Sequence, residues 1–110
     1  MRIQLITFAG CPNAPLTRAA LERVLAASGI AGRIEEVDVF APETPEALRR
    51  WGSPTVLLNG EDVEGQTTPT GTSCRLYTDD EGNLKGAPPE PLLVAAVRRA
   101  ISGSLREDER

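Results

Sequence analysis

Hydrophobic residues in this chain recur with two different spacings, which predict strands and helices in alternation. Residues 2–8 are apolar on both sides of an extended chain, as in a central strand covered on both faces. Residues 14–28 carry apolar side chains at helical spacing, with Asn13 as a candidate N-cap and Gly29 as a natural end. Residues 33–39 predict a more polar strand, which a right-handed crossover makes parallel to the first.

A short helix is predicted next, over residues 45–51. Thr44, Pro45 and Glu46 are typical of a helix start, because proline is favoured in the first turn. The predicted helix turns three apolar side chains inward, those of Ala47, Leu48 and Trp51.

Asn59-Gly60 predicts a hairpin between residues 56–58 and residues 61–64. This pair accepts the positive φ angles of a type I′ turn, so strands three and four are expected to be antiparallel neighbours. Asp62 and Glu64 would then be solvated charges that discourage pairing at the sheet edge.

The last helix is predicted over residues 89–102, where the apolar residues form a clean stripe. Residues 103–110 are expected to form a charged, frayed tail. Between the hairpin and this helix lie residues 65–86, a long segment that we call the insertion. Loops of this length in a small domain tend to be functional.

Composition narrows the classes of protein that fit. A chain of 110 residues is enough for one domain, residues 1–110, without disulfide or metal support. A net charge of −4 with no basic patch argues against nucleic acid as a partner. No apolar stretch predicts a membrane span and the first residues do not resemble a signal peptide, so no membrane partner is expected. We expect a cytoplasmic protein whose two cysteines begin reduced.

The chain contains no histidine, so its chemistry must come from sulfur, carboxylate or backbone groups. Cys11 lies between the first strand and the first helix, where unpaired N–H groups and the positive end of the helix dipole favour a thiolate. A thiolate is both a nucleophile and a metal ligand. The alternative is a buried, inert cysteine, but flanking Gly10, Pro12 and Asn13 predict an accessible one.

A second motif, Gly52-Ser53-Pro54-Thr55, leads directly into the third strand. A cysteine before the first helix and a proline before this strand resemble the thioredoxin-like superfamily, whose active-site cysteine faces a cis proline. The resemblance implies a cis Ser53–Pro54 bond. It also implies an α/β fold with a four-stranded mixed sheet of order 2-1-3-4, flanked by helices. The alternative is an ordinary trans proline at the start of an edge strand.

Thioredoxins carry a second cysteine three residues after the first, and this chain has Ala14 there. A dithiol pair within one helical turn is therefore excluded. Either Cys11 acts alone, or Cys74 supplies the partner from the insertion, which is long enough to fold over the end of the sheet. The alternative is a buried Cys74 within a small hairpin, residues 73–78 against 84–86.

Four stretches together resemble a group of small bacterial thioredoxin-like proteins, often labelled thioredoxin family or alkylmercury lyase. They are residues 8–13, 52–55, 73–77 and 88–90. The likeness covers the whole chain and implies the fold and a two-cysteine arrangement. A carbon–mercury lyase also needs an acid beside its two thiolates, and the sequence assigns none.

Two functions follow from these residues. In a thiol–disulfide redox protein, Cys11 attacks a protein or small-molecule disulfide, Pro54 aligns it, and Cys74 resolves the intermediate, with no cofactor. The predicted substrate-binding residues flank the two motifs: Pro12, Ser53 and Thr55. In a soft-metal protein related to mercury resistance, Cys11 and Cys74 together hold mercury(II) or copper(I).

Three further residues near the motifs have structural expectations. Trp51 is expected to pack beneath the proline loop, and Tyr77 to take an inward or half-exposed strand position. For Arg75, next to Cys74, there are two alternatives: it lowers the pKa of a thiol, or it is simply exposed, as most arginines on such loops are.

Overall fold

The computed structural model is an α/β structure that describes residues 1–69, 71 and 74–108, with side chains as far as residue 102. The predicted insertion and tail therefore contain a few positions outside the described residues: Thr70, Thr72, Ser73, Glu109 and Arg110. The described elements are β1 (Ile3–Thr7), α1 (Ala14–Ala27), β2 (Ile34–Asp38), a short 3₁₀ helix (Glu46–Leu48), β3 (Thr55–Leu58), β4 (Glu61–Asp62), β5 (Tyr77–Thr78), β6 (Leu84–Lys85) and α2 (Glu90–Asp108).

Four of these strands form a mixed sheet in the order β2-β1-β3-β4, as predicted. Strand β1 is parallel to β2 and antiparallel to β3, where Ile6 lies opposite Thr55. Strand β4 is antiparallel to β3. Because β1 and β3 run in opposite directions, the end of β1 and the start of β3 lie at the same edge of the sheet.

The alternating side chains of β1 divide the core into two clusters, one on each face of the sheet. Ile3 and Leu5 pack with apolar residues of both helices, among them Leu21 of α1 and Leu93 of α2. Ile6 faces the other way and packs with the second cluster, which also contains Val37, Val39, Trp51 and Leu57. The prediction of a central strand buried on both faces is confirmed.

Helix α1 lies within one residue of its predicted range. Its first turn is stabilised by Thr17, whose hydroxyl donates to the carbonyl of Asn13 at 2.8 Å. Asn13 occupies the N-cap position but its side chain makes no capping hydrogen bond, contrary to its expected role. That side chain instead packs against Gly86 of the insertion, where an added β-carbon would lie 2.8 Å from the Asn13 side-chain carbon Cγ.

The Asn59-Gly60 turn is confirmed, with positive φ angles of 53° and 84° at its two central residues. The neighbouring prediction for Asp62 is wrong: this residue is buried, whereas we expected it to be solvated. Its buried position is explained by the partner that the insertion supplies, described below.

Two helical predictions differ from the structure in extent. The segment 45–51 forms only one 3₁₀ turn, in which Ala47 is exposed, while Trp51 beyond it is buried as expected. Helix α2 continues to Asp108, past the predicted end near residue 102, so residues 103–108 are helical where we expected a frayed tail. A glycine such as Gly103 costs a helix interior only about 1 kcal/mol and need not end it. Neither helix in the described part of the chain is long and apolar enough to cross a bilayer.

Candidate functional site

Cys11 is the last residue of a tight turn in the connection between β1 and α1. Its N–H donates to the carbonyl of Phe8 at 3.2 Å, and Gly10 has a φ of 85°, as the third residue of a type II turn requires. The turn brings Cys11 inward and leaves Gly10 and Pro12 exposed. Cys11 is only 6% exposed, so the expectation of an accessible thiol is wrong. It nevertheless belongs to neither apolar core cluster.

The Ser53–Pro54 peptide bond is cis, as predicted. Pro54 is fully buried immediately before β3, and Ser53 and Thr55 on either side of it are buried as well. Because the start of β3 lies at the same sheet edge as the end of β1, the Pro54 loop and the Cys11 turn share that edge. We call this region the cysteine edge.

The insertion returns to the cysteine edge and brings Cys74 there. Cys74 forms an isolated parallel bridge with Ser53, and the N–H of Arg75 donates to the carbonyl of Ser53 at 2.9 Å. A further backbone hydrogen bond joins Gly71 to the carbonyl of Arg50 at 2.8 Å. The segment that precedes β5 is therefore held along the residues that precede β3.

Cys74 itself is exposed, and both cysteines are free thiols. The predicted small hairpin does exist, as β5 paired with β6, but Cys74 lies ahead of it. The alternative prediction of a buried Cys74 is therefore wrong. Successive side chains of an extended segment point to opposite sides, and the neighbouring residue, Arg75, is the one that is buried.

Arg75 forms the centre of a buried polar network that the sequence analysis missed. The guanidinium donates through Nη1 to Asp62 Oδ1 at 2.7 Å and to Thr55 Oγ1 at 3.0 Å. Its Nη2 donates to Asp62 Oδ2 at 2.7 Å and to Glu64 Oε1 at 3.3 Å. Arg75 and Asp62 have side chains only 3% and 0% exposed, so the expectation of a solvated Asp62 and the alternative of an exposed Arg75 are both wrong. The name Arg75 cluster is used below for this network and the two rings beside it: Arg75, Asp62, Thr55, Glu64, Trp51 and Tyr77.

Two aromatic rings lie against the Arg75 guanidinium. Its central carbon is 4.6 Å from the ring centre of Tyr77 and 5.7 Å from that of Trp51, within the range of cation–π attraction. Both rings are buried, which fits the inward positions predicted for them. The Tyr77 hydroxyl donates to the carbonyl of Pro54 at 2.5 Å and so joins the cluster to the cis-proline loop.

Burial and the neighbouring groups together determine the protonation states of Arg75 and Tyr77. Burial by itself lowers the pKa of Arg75, but the hydrogen bonds that Arg75 donates to Asp62 and the neighbouring negative groups outweigh this effect and raise that pKa. Arg75 therefore remains charged. Burial raises the pKa of Tyr77 far above its ordinary value, although the charge of Arg75 opposes this effect, and the phenol stays protonated at neutral pH.

Two polar atoms at the junction of the cluster and the proline loop are buried without a hydrogen-bond partner among the described residues. They are Ser53 Oγ and Arg75 Nε. The hydroxyl of Thr55, by contrast, has partners in the cluster and the loop, since it accepts from Arg75 and donates to the carbonyl of Gly52. Ser53, Thr55 and Pro12 remain predicted substrate-binding residues. Of these three, only Pro12 is exposed in the free protein.

A concavity of about 650 Å³ lies at the other end of β1, lined by residues that include Met1, Arg2 and Arg33. It contains no cysteine and no member of the Arg75 cluster, so it is separate from the cysteine edge. Over the residues that the structure describes, no group of three or more cysteine, aspartate or glutamate side chains is placed to hold a metal. The soft-metal alternative, with Cys11 and Cys74 as its only ligands, stays a prediction.

The fold and the cysteine edge define the class of this protein, which is a small α/β protein with two free thiols at one end of a mixed sheet. The sequence matches no family model, and neither the curated proteins nor the solved structures give a match.

The exposure of the two thiols predicts unequal alkylation. Cys74 is exposed and Cys11 is buried, so iodoacetamide should modify Cys74 at least about tenfold faster, because alkylation requires access to the sulfur. Peptide mass mapping over time measures both rates, and Cys74→Ser isolates the slow thiol. Equal rates, or faster modification of Cys11, would contradict the structural assignment.

Proposed function

We propose that this chain is a thioredoxin-like thiol–disulfide redox protein, with Cys11 as the nucleophile and Cys74 as the resolving thiol. The observation that carries the proposal is the pairing of Cys74 with Ser53. It brings the second cysteine of the chain to the edge of the sheet at which the Cys11 turn ends. The cis Ser53–Pro54 bond and the strand order also support the resemblance to the thioredoxin-like superfamily.

The chemistry needs only the two sulfurs and a disulfide substrate. The Cys11 thiolate attacks one substrate sulfur, which forms a mixed disulfide and releases the other sulfur as a thiol. The Cys74 thiolate then attacks the Cys11 sulfur, forms a Cys11–Cys74 disulfide and releases the rest of the substrate. The protein loses two electrons and two protons, and the substrate disulfide gains them. An external thiol reductant restores the protein, as in the reducing cytoplasm that we propose for it.

The burial of Cys11 limits the substrates in this proposal. Thiol–disulfide exchange requires one sulfur to approach another directly, so a bulky folded partner cannot deliver its disulfide to a thiol that is only 6% exposed. The best candidates are small disulfides and extended peptides carrying a mixed disulfide.

Reaction with a glutathionylated peptide tests the proposal. The reduced wild-type protein should release free peptide and become two hydrogens lighter as the Cys11–Cys74 disulfide forms. Cys74→Ser should stop at a mixed disulfide on Cys11, and Cys11→Ser should release peptide only slowly, at the rate of a single exposed thiol. Intact mass with peptide mapping identifies each species, and the variant lacking both cysteines measures the uncatalysed background.

Two results would overturn the proposal in different ways. A wild-type rate equal to that of the cysteine-free variant contradicts a redox function. A mixed disulfide that accumulates on Cys74 in Cys11→Ser, with normal peptide release, contradicts the assignment of Cys11 as the nucleophile.

A further inference from the structure

We propose that Arg75 is a positioning residue, which holds the Cys74 thiol beside Ser53 and thereby sets how readily Cys74 pairs with Cys11. This inference rests on the proposed function, because it assigns a role within the same two-cysteine chemistry. Arg75 does not touch a reacting sulfur in the described contacts. Its effect passes through the backbone that it anchors.

The contacts of the Arg75 side chain fix its position and its orientation. Both terminal nitrogens of Arg75 donate to the two oxygens of Asp62, each at 2.7 Å, in a paired arrangement that fixes the plane of the guanidinium. Thr55 adds a third contact. Asp62 and Thr55 belong to β4 and β3, so the insertion is tied directly to the central sheet.

Only one peptide bond separates this anchor from the thiol. The side chain of Arg75 enters the interior while its N–H donates to Ser53, so the residue is held at both its side chain and its backbone. Cys74, the preceding residue, must then lie next to Ser53 with its side chain on the opposite, exposed side. Without the anchor, the described contacts that remain to hold the segment are two backbone hydrogen bonds, to Ser53 and Arg50, and the one from Tyr77 to Pro54.

A role in positioning explains why a charged group is buried here at all. Removing two charges from water is costly, and well-packed apolar residues often stabilise a fold equally well. A paired guanidinium–carboxylate contact instead fixes direction as well as distance. Placement of reacting groups controls the effective concentration of one thiol toward another, and small displacements reduce it strongly.

The test measures that effective concentration with glutathione. Two protein thiols react with one oxidised glutathione to give the Cys11–Cys74 disulfide and two glutathione thiols, so the equilibrium constant has units of concentration. We expect Arg75→Lys to lower it about tenfold, because lysine keeps the charge but loses the paired contact. Arg75→Met should lower it further, so that the conservative variant recovers part of the loss.

Two controls separate positioning from stability. Ile34→Ala removes buried atoms at the start of β2, at the opposite end of the sheet from the cysteine edge, and should destabilise the fold while leaving the glutathione equilibrium unchanged. The double variant Asp62→Leu with Arg75→Met replaces the buried charges with apolar volume, so it tests the missing anchor even if Arg75→Met alone does not fold. It should show the same loss as Arg75→Met.

Amide hydrogen exchange provides a readout that does not depend on the disulfide. The backbone N–H of residue 75, bonded to Ser53, should exchange at least about tenfold faster in Arg75→Lys and in the double variant than in Ile34→Ala. Unchanged exchange together with an unchanged glutathione equilibrium would overturn the positioning role of Arg75. Failure of the wild type to form any Cys11–Cys74 disulfide would instead overturn the proposed function, even if the exchange result showed the anchor to be present.

Discussion

Replacing Asp62 by asparagine is expected to lower the free energy of unfolding by about 3–5 kcal/mol, the largest effect we predict for a single polar substitution. The change keeps the size of the side chain but removes the negative charge that pairs with the buried guanidinium of Arg75. Glu64 also contacts this guanidinium, but at 3.3 Å and with a side chain 27% exposed, so it compensates only partly. Urea denaturation followed by the fluorescence of Trp51, the only tryptophan, measures the loss.

Glu61→Gln is the matched control for Asp62→Asn. Glu61 lies beside Asp62 on the same strand, and the same acid-to-amide change at this exposed position should alter the free energy of unfolding by no more than about 0.5 kcal/mol. The double variant Asp62→Leu with Arg75→Met should lose less stability than Asp62→Asn alone, since it leaves no unpaired buried charge. Equal losses in Asp62→Asn and Glu61→Gln would show that the ion pair does not stabilise the fold.

Tyr77→Phe is expected to lower the free energy of unfolding by about 1–3 kcal/mol at neutral pH. The substitution preserves the buried ring, including its contact with Arg75, and removes only the hydroxyl that donates to the carbonyl of Pro54. That carbonyl would then lose its side-chain donor in the interior. The same urea measurement quantifies the loss, and a cost below about 0.5 kcal/mol would contradict a stabilising role for this hydrogen bond.

Tyr77 also predicts an alkaline limit to stability. Because burial raises the pKa of Tyr77, the folded state keeps the phenol proton at pH values where the unfolded state, with a pKa of about 10, loses it. The stability from the neutral phenol is fully present below about pH 10 and falls as the pH rises toward the folded pKa. The free-energy difference between the wild type and Tyr77→Phe should therefore shrink above about pH 10.

The chain contains one tyrosine, which makes this pH dependence directly measurable. Tyrosinate absorbance of the native protein should rise only well above pH 10, whereas the protein unfolded in urea should show the ordinary titration near pH 10. A native titration that coincides with the unfolded one would mean that Tyr77 is not held in a buried, hydrogen-bonded position.

Local patterns were sufficient to predict most of the sheet. The strands β1 and β3, the helix α1 and the Asn59-Gly60 turn depend on spacing and turn chemistry that neighbouring residues specify. The cis bond before Pro54 was predicted from resemblance rather than from any local rule. The position of Cys11 before α1 was also correct, but its burial was not, because the type II turn at Gly10 brings the thiol inward.

The Arg75 cluster could not be predicted in this way. An arginine in a polar insertion and an aspartate on a short edge strand each indicate solvent exposure when considered separately. Their burial depends on the two meeting across a separation of 13 residues, where each offsets the desolvation cost of the other. Residues 74–77 alternate between exposed and buried in the structure, as an extended segment does, but the residue types do not reveal this, because the polar Arg75 is buried and the apolar Leu76 is exposed.

By itself, the sequence determined the order of strands and helices, the central buried strand, the tight hairpin and the place of Cys11 in the chain. These features follow from hydrophobic period and backbone preference, which act over a few residues. Only the tertiary structure decided that the insertion returns to Ser53, that Arg75 is buried and that Cys74 is the exposed thiol. Those outcomes depend on contacts between groups that are distant in the sequence and whose burial is favourable only when they pair. No local property of the chain predicts which groups will pair.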